Sequence, residues 1–131
     1  MIIRYTTPYH YFILPIKREF IDSVYITYFQ NGNTVIDKNS NDDIKILDPL
    51  EVNNASFWNG DEGATTIAPD ETFLTLRLTQ EETSRFKFFP AAEKNIALIQ
   101  VRVISTDGGS YVSRVIRDRI YGTLKEEVIN G

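Results

Sequence analysis

The chain has 131 residues, 42% hydrophobic and 24% charged, which are the proportions of an ordinary globular protein. A single domain of this length has enough residues to build a proper core. Cysteine is absent, which excludes disulfide bonds and thiolate zinc sites. The formal net charge is −4, and the chain lacks the strongly basic footprint of a nucleic-acid-binding protein.

The first residues show neither a signal peptide nor a membrane span. Their longest uninterrupted apolar run, Tyr11 to Pro15, is too short for either. We therefore expect a soluble protein that is made without a secretion signal and does not enter a membrane.

Alternation of apolar and polar residues dominates the chain, and this pattern predicts β-strands. The predicted elements, in chain order, are a strand over 2–6 and 9–14 interrupted by Pro8, a helical turn over 16–22, strands over 23–30 and 34–38 joined by a type I′ turn at Asn31-Gly32, a strand over 44–47, a long loop over 48–71, and strands over 72–78, 96–106 and 110–120. The proline suits an edge strand or one that changes sheets. About seven or eight strands at this spacing indicate an all-β sandwich.

The stretch LRLTQEETSRFKF, residues 76–88, contains a capping box that predicts a one-turn helix near 79–86. Thr79 and Glu82 have the spacing at which each side chain bonds the other residue's backbone N–H. The pattern resembles the E–F corner of immunoglobulin variable domains, with Glu82 at the acidic position and Phe86 at the tyrosine position. The resemblance implies an immunoglobulin-like antiparallel β-sandwich.

A second resemblance concerns five segments: MIIRYTTPYHYFILPI, VYITYFQNG, LTLRLTQEETSRF, IQVRVISTDGG and LKEEVI. In this order they resemble a family of small tailed-bacteriophage proteins. The long loop over 48–71 departs from the family, in which this region is shorter. The resemblance implies a phage-encoded β-sandwich that is a component of the virion or of its assembly.

The sequence contains no recognisable catalytic, cofactor or metal motif, and we predict that the protein is not an enzyme. His10 is the single histidine, and we interpret it as structural. No serine lies in a nucleophile elbow that would complete a triad with it. Asn59, Asp61 and Glu62 are oxygen ligands of the type that Ca²⁺ prefers, but we interpret them as a solvated turn because the spacing is not that of an EF-hand.

Aromatic residues are the candidate partner-binding residues. If alternate residues of strand 23–30 face the core, the remaining ones face outward, and a contiguous apolar outer face marks a contact surface. The residues predicted for this face are Tyr9, Tyr11, Tyr25, Phe29 and Tyr111. The alternative is that these aromatics only make cross-strand pairs.

Trp58 and the last residues are further candidates. On the long loop, Trp58 either packs on its own domain, anchors in a partner's pocket or stacks on a sugar. Tyr121 is the last residue of the predicted domain, and Leu124 lies in the tail predicted over 122–131. We expect these apolar residues to dock on a neighbouring copy by strand addition or as a short helix. The alternative is a frayed end.

Charge is unevenly distributed along the chain. Residues 37–82 carry eleven acids against three bases, and residues 83–131 carry eight bases against five acids. The asymmetry serves either solubility alone or the steering of neighbouring copies by complementary ends.

The sequence thus predicts a sandwich domain over 1–121 and a tail over 122–131. The predicted function is that of a non-enzymatic structural protein of a tailed-phage particle, assembled in the host cytoplasm. Its expected partners are other phage structural proteins and further copies of itself, with no cofactor, nucleic acid or membrane. The alternative is a carbohydrate- or receptor-binding module that uses the 48–71 loop.

Overall fold

The structure is a computed structural model, and it describes residues 1–41, 44–48 and 68–123. Within these ranges the strands are β1 (Ile2–Ile3), β2 (Tyr9–Leu14), β3 (Ile21–Gln30), β4 (Asn33–Asn39), β5 (Lys45–Leu47), β6 (Thr72–Arg77), β7 (Ile96–Ser105), β8 (Ser110–Val112) and β9 (Ile116–Tyr121). The helix α1 (Gln80–Ser84) and two 3₁₀ turns, Arg18–Phe20 and Ala92–Lys94, connect them.

The strands form two sheets, and the predicted all-β sandwich is confirmed. The large sheet has the order β1-β9-β7-β3-β4, with β8 also paired to β7, and the small sheet has the order β2-β6-β5. All pairs are antiparallel except β1 with β9. Immunoglobulin-like sandwiches place strands B, E and D in one sheet and C, F and G in the other. Here β2, β6 and β5 occupy the places of strands B, E and D, and β3, β7 and β9 occupy the places of strands C, F and G.

One hydrophobic core fills the space between the sheets. It consists of alternate residues from the inner faces, among them Phe12, Val24, Ile26, Leu74, Leu76, Ile99, Val101 and Ile120. In β7 the alternation of the sequence puts Ala97, Ile99, Val101 and Val103 on one face, and all four are buried. This period of two is what allows each strand to keep its other face toward solvent.

The segment around Pro8 changes sheets, and the strand that follows it, β2, is an edge strand of the small sheet, which confirms both roles predicted for it. β1 pairs with β9 in the large sheet, and β2 pairs with β6 in the small one. Between them, the backbone of Tyr5 has a φ of 63°, a conformation that residues other than glycine rarely adopt. Proline lacks the N–H that a continuous strand needs, so pairing ends here and resumes on the other sheet.

The β3–β4 hairpin is closed as its sequence predicts. Asn31 and Gly32 have φ values of 51° and 79°. A type I′ turn requires positive φ at both central residues, and asparagine followed by glycine tolerates this best. The turn therefore sets the register that pairs Gln30 with Asn33.

The single strand predicted over 110–120 is wrong, because the structure divides it into β8 and β9. The two parts pair with opposite halves of β7. Between them, Ser113 replaces regular pairing: its Oγ accepts from Val101 N at 2.9 Å, and its own N donates to Val101 O at 2.8 Å. A serine hydroxyl competes with the backbone for hydrogen bonds in this way, and the strand is interrupted there.

The capping box is confirmed at the start of α1. Glu82 N donates to Thr79 Oγ1 at 3.1 Å, and Thr79 N donates to Glu82 Oε1 at 2.9 Å. The resemblance to an E–F corner holds for the position of α1 between β6 and β7. It does not extend to Phe86, which is fully buried but precedes a further 3₁₀ turn, so that β7 begins only at Ile96.

Several predictions lie outside the described residues. These are the greater part of the long loop (49–67), the turn at 59–62, Trp58, Leu124 and the tail beyond Thr123. The domain boundary at 121 stays a prediction. Among the described helices, none has the length and apolar character required to cross a membrane.

Candidate functional site

The outer face of the small sheet presents three large apolar side chains to solvent. Phe12 and Leu14 of β2 point into the core, so the residues that alternate with them point away from it. Tyr9 is 56% exposed, Tyr11 is 49% exposed and Ile13 is 46% exposed. Single exposed hydrophobic residues are normal, but three on one face of one strand form a continuous stripe.

Neighbouring side chains hold this stripe in place. The Arg77 guanidinium lies 5.1 Å from the ring centroid of Tyr9 and donates to Thr7 Oγ1 at 2.8 Å. The ring of Tyr11 lies 5.5 Å from that of Phe73. We call Tyr9, Tyr11, Ile13 and Arg77 the tyrosine face. A groove beside it is lined by Lys45, Leu47, Thr79 and Gln80, among other residues. Side chains ordered in advance lose little rotamer freedom when a partner binds.

The other aromatics of the predicted outer face do not join this stripe. Tyr25, which is 40% exposed, and the half-buried Phe29 lie on the large sheet, and so does Tyr121, which is 39% exposed. The prediction that Tyr9, Tyr11, Tyr25 and Phe29 form a single contiguous face is therefore wrong. The physical reason is the sheet change at Pro8, which sends β2 to the opposite side of the sandwich.

The outward orientation predicted for Tyr111 is also wrong. Tyr111 pairs with Val103, which is buried, and directly paired residues share a face. Its half-buried ring packs against the core. The division of the last strand sets this register, so a pattern that assumed one continuous strand placed the ring on the wrong face.

The sequence analysis also missed exposed residues that alternate with buried ones in β2 and β9. Ile13 follows Tyr9 and Tyr11 in the same alternation and completes the stripe. Arg117 and Arg119 alternate in β9 and are exposed on the outer face of the large sheet. For Ile13 and for the two arginines, the signal in the sequence was the alternation of inward and outward residues. It could be used only once the bounds of the two strands were known.

A small polar network lies inside the sandwich, around His10. Its Nδ1 is 2.6 Å from the Tyr28 hydroxyl, and the two rings stack with centroids 5.6 Å apart. Its Nε2 lies 3.7 Å from Asp118 Oδ2, and Asp118 also pairs with the ammonium of Met1. An interior, hydrogen-bonded imidazole is the arrangement expected of a structural histidine.

The protonation states of this network follow from its surroundings. Burial lowers the pKa of His10, the Asp118 carboxylate raises it, and the Met1 ammonium lowers it further. Burial also raises the pKa of the Tyr28 hydroxyl, and the charges of Asp118 and Glu82 raise it further. Tyr28 therefore stays protonated, and we assign its O–H as the donor to Nδ1 of a neutral His10. Because Tyr28 is 0% exposed, no substrate reaches its hydroxyl, and the trio is not arranged as a nucleophile with its base.

The His10 network predicts a pH dependence of stability. Because the folded pKa is lowered, the unfolded chain binds a proton near pH 6.5 that the folded chain does not bind. The stabilisation is complete above the unfolded pKa and is lost as pH falls toward the folded one. We expect the free energy of unfolding to decline between about pH 6.5 and 5.5, with a limiting slope of about 1.4 kcal/mol per pH unit.

Denaturant titrations at pH 7.5, 6.5 and 5.5 measure this slope. His10→Gln removes the only imidazole, so its slope over the same range should be flatter. An NMR titration of that single imidazole gives its folded pKa directly, and a value at or above 6.5 would contradict the account.

A second interior contact joins α1, which lies between β6 and β7, to strand β4 of the large sheet. Lys38 Nζ lies 2.5 Å from Glu82 Oε2, and the two side chains are only 11% and 10% exposed. Glu82 thus uses one carboxylate oxygen to cap α1 and the other to pair with β4. These contacts are structural, since they fix α1 against β4.

In the part of the chain that the structure describes, no three His, Asp or Glu side chains are grouped so that they could hold a metal ion. Comparisons with protein-family models, with curated proteins and with solved structures gave no match.

Proposed function

We propose that this chain is a non-enzymatic structural component of a tailed-phage particle and that it acts through protein–protein contacts made by the tyrosine face. The single observation that carries the contact role is the stripe of Tyr9, Tyr11 and Ile13 on strand β2, each about half exposed. The sequence resemblance to small phage proteins supports the virion as the place where these contacts are made.

The chemistry of the tyrosine face favours a protein partner. Tyrosine and arginine are enriched in protein interfaces and dominate the residues that contribute most to binding. Tyr9 and Tyr11 supply flat apolar area together with hydroxyls that can bond at the rim, and Arg77 adds a cation beside them. Partners of this kind are other structural proteins of the particle.

Replacing both tyrosines should remove the chain from particles without unfolding it. In Tyr9→Ser/Tyr11→Ser the lost side chains are exposed, so we expect a small effect on stability. Each is expected to weaken binding by about 2 kcal/mol or more, so occupancy in particles should fall at least tenfold. Gradient-purified particles made in cells that express the native and variant chains together give the ratio by quantitative mass spectrometry.

The matched control is Phe20→Ser/Phe88→Ser. Phe20 and Phe88 are 51% and 52% exposed, but they lie outside the tyrosine face. This variant should enter particles as the native chain does. Equal incorporation of the tyrosine variant and the native chain would remove the tyrosine face from the proposal.

A further inference from the structure

Strand β2 lies at one end of the small sheet, and its outer edge has no strand partner among the residues that the structure describes. Leu78 N donates to Pro8 O at 3.0 Å, so Pro8 and Leu78 form a hydrogen-bonded pair of the antiparallel ladder. Such pairs alternate with pairs that exchange no hydrogen bond. The register places Tyr9 and Ile13 in pairs of the second kind, so their N–H and C=O groups point away from β6 and toward the open edge.

This edge lacks the features that keep other sheet edges unpaired. Proteins protect edges with very short strands, charged side chains or proline. Of the other strands at the ends of the two sheets, β1 has two residues, β5 has three and includes Lys45, and β4 includes Asp37 and Lys38. β2 has six residues, YHYFIL, without proline, Asp, Glu, Lys or Arg. Its edge is therefore a template to which a further strand can add.

A second copy of β2 fits this edge when the two strands run antiparallel about a two-fold axis at Tyr11. Tyr9 then lies opposite Ile13 of the other copy, and the two pairs of this kind exchange four backbone hydrogen bonds. Tyr11 lies opposite its own counterpart, and His10 lies opposite Phe12. Aromatic pairs and pairs of an aromatic with a β-branched residue stabilise antiparallel strands by roughly 0.2–1 kcal/mol each. The strand also carries no Asp, Glu, Lys or Arg that would repel its own copy.

The exposed area limits the strength of this contact. A large aromatic side chain presents roughly 200 Å². Because Tyr9, Tyr11 and Ile13 are each about half exposed, they offer roughly 300 Å² per copy, and edge pairing covers only their flanks. The total stays well below the 1,200 Å² or so at which stable interfaces begin. We therefore expect weak pairing in dilute solution, which increases where copies are concentrated.

We propose that two copies of this chain join through their β2 edges into one six-stranded sheet with the order β5-β6-β2-β2-β6-β5. Pairing uses the backbone of β2, so the outward side chains of both copies lie side by side and the two tyrosine faces form one surface. A two-fold contact is closed, and it therefore yields a dimer and no larger species. This inference rests on the proposed function only in naming a second copy as one partner. Its tests use the purified chain, so a failure here is distinguishable from a failure to enter particles.

Sedimentation of the purified native chain tests whether the dimer forms. We expect a monomer at about 10 µM and a substantial fraction of dimer at about 1 mM, where a contact of roughly 4 kcal/mol becomes populated. Species larger than the dimer should not appear through this contact. A native chain that stays monomeric at about 1 mM would overturn the proposal.

Single cysteines identify the contact and its register, because the native chain has none. In the proposed dimer the Cα atoms of the two copies of residue 11 lie about 5.5 Å apart, which a disulfide can span. Mild oxidation of Tyr11→Cys should therefore give a covalent dimer. Tyr9→Cys or Ile13→Cys alone should link at least tenfold more slowly, since like positions lie about 14 Å apart along the strands. A mixture of these two variants should link as fast as Tyr11→Cys does.

Tyr25→Cys is the matched control. Tyr25 is also a tyrosine on a strand and is 40% exposed, but β3 has strand partners on both edges. It should link at least tenfold more slowly than Tyr11→Cys, and circular dichroism should show native folding for all variants because the replaced side chains are exposed. Linking of Tyr11→Cys no faster than that of Tyr25→Cys would overturn the proposed contact, and equal rates for residues 9, 11 and 13 alone would overturn its register.

Discussion

Replacing Phe86 by alanine is expected to lower the free energy of unfolding by about 3–5 kcal/mol. Phe86 is 0% exposed, and its ring meets that of Tyr28 edge-on, with centroids 6.2 Å apart. Tyr28 in turn stacks on His10. Truncation therefore leaves a cavity beside the interior polar network, at the position where the connection after α1 packs onto the large sheet.

Phe88 provides the matched control, since it is the same residue type two positions later and is 52% exposed. Phe88→Ala should change the free energy of unfolding by less than about 0.5 kcal/mol. Denaturant titrations of the two variants measure the difference. Similar losses would mean that Phe86 is not the core residue described here.

Replacing Glu82 by alanine is expected to destabilise the fold by about 3–5 kcal/mol, the usual effect of breaking a buried ion pair. The carboxylate faces Lys38 across the interior and also accepts from the backbone N–H of Thr79. The variant loses both contacts and leaves the backbone N–H of Thr79, at the start of α1, without its acceptor. Thermal and denaturant unfolding measure the loss.

Glu81 is the control for this prediction, because it is adjacent but its side chain is 78% exposed and pairs with Arg85 only at 3.7 Å. Glu81→Ala should cost less than about 0.5 kcal/mol. A double-mutant cycle with Lys38→Ala should show a coupling energy of about 1–3 kcal/mol between Lys38 and Glu82. Additive effects would show that the two groups act independently.

Local signals accounted for much of the fold. Asn31-Gly32 closes the hairpin because positive φ is tolerated there, and Thr79 with Glu82 starts α1 because their side chains meet the free N–H groups of the first turn. The alternation in β7 predicted its buried face residue by residue. Each of these features depends on neighbours within a few positions, which is the range over which a sequence pattern is informative.

The arrangement of the surface depended on contacts that sequence patterns do not contain. Alternation placed Tyr9 and Tyr25 outside, but which sheet each belongs to is decided by pairing with distant strands. Tyr111 turned inward because β8 pairs in a register that the interruption at Ser113 sets. The partners of His10 were unpredictable for the same reason, since Tyr28 and Asp118 reach it from two other strands.

Counting the chain in purified particles tests our proposal that it is a component of a phage particle. Quantitative mass spectrometry on gradient-purified particles from a producing culture gives its copy number relative to the major capsid protein. We expect a fixed, reproducible ratio, with ring-like numbers of about six or twelve for a tail or neck position, as ring symmetry requires, and hundreds for capsid decoration. A chain that is abundant in the lysate and absent from the particles would contradict it.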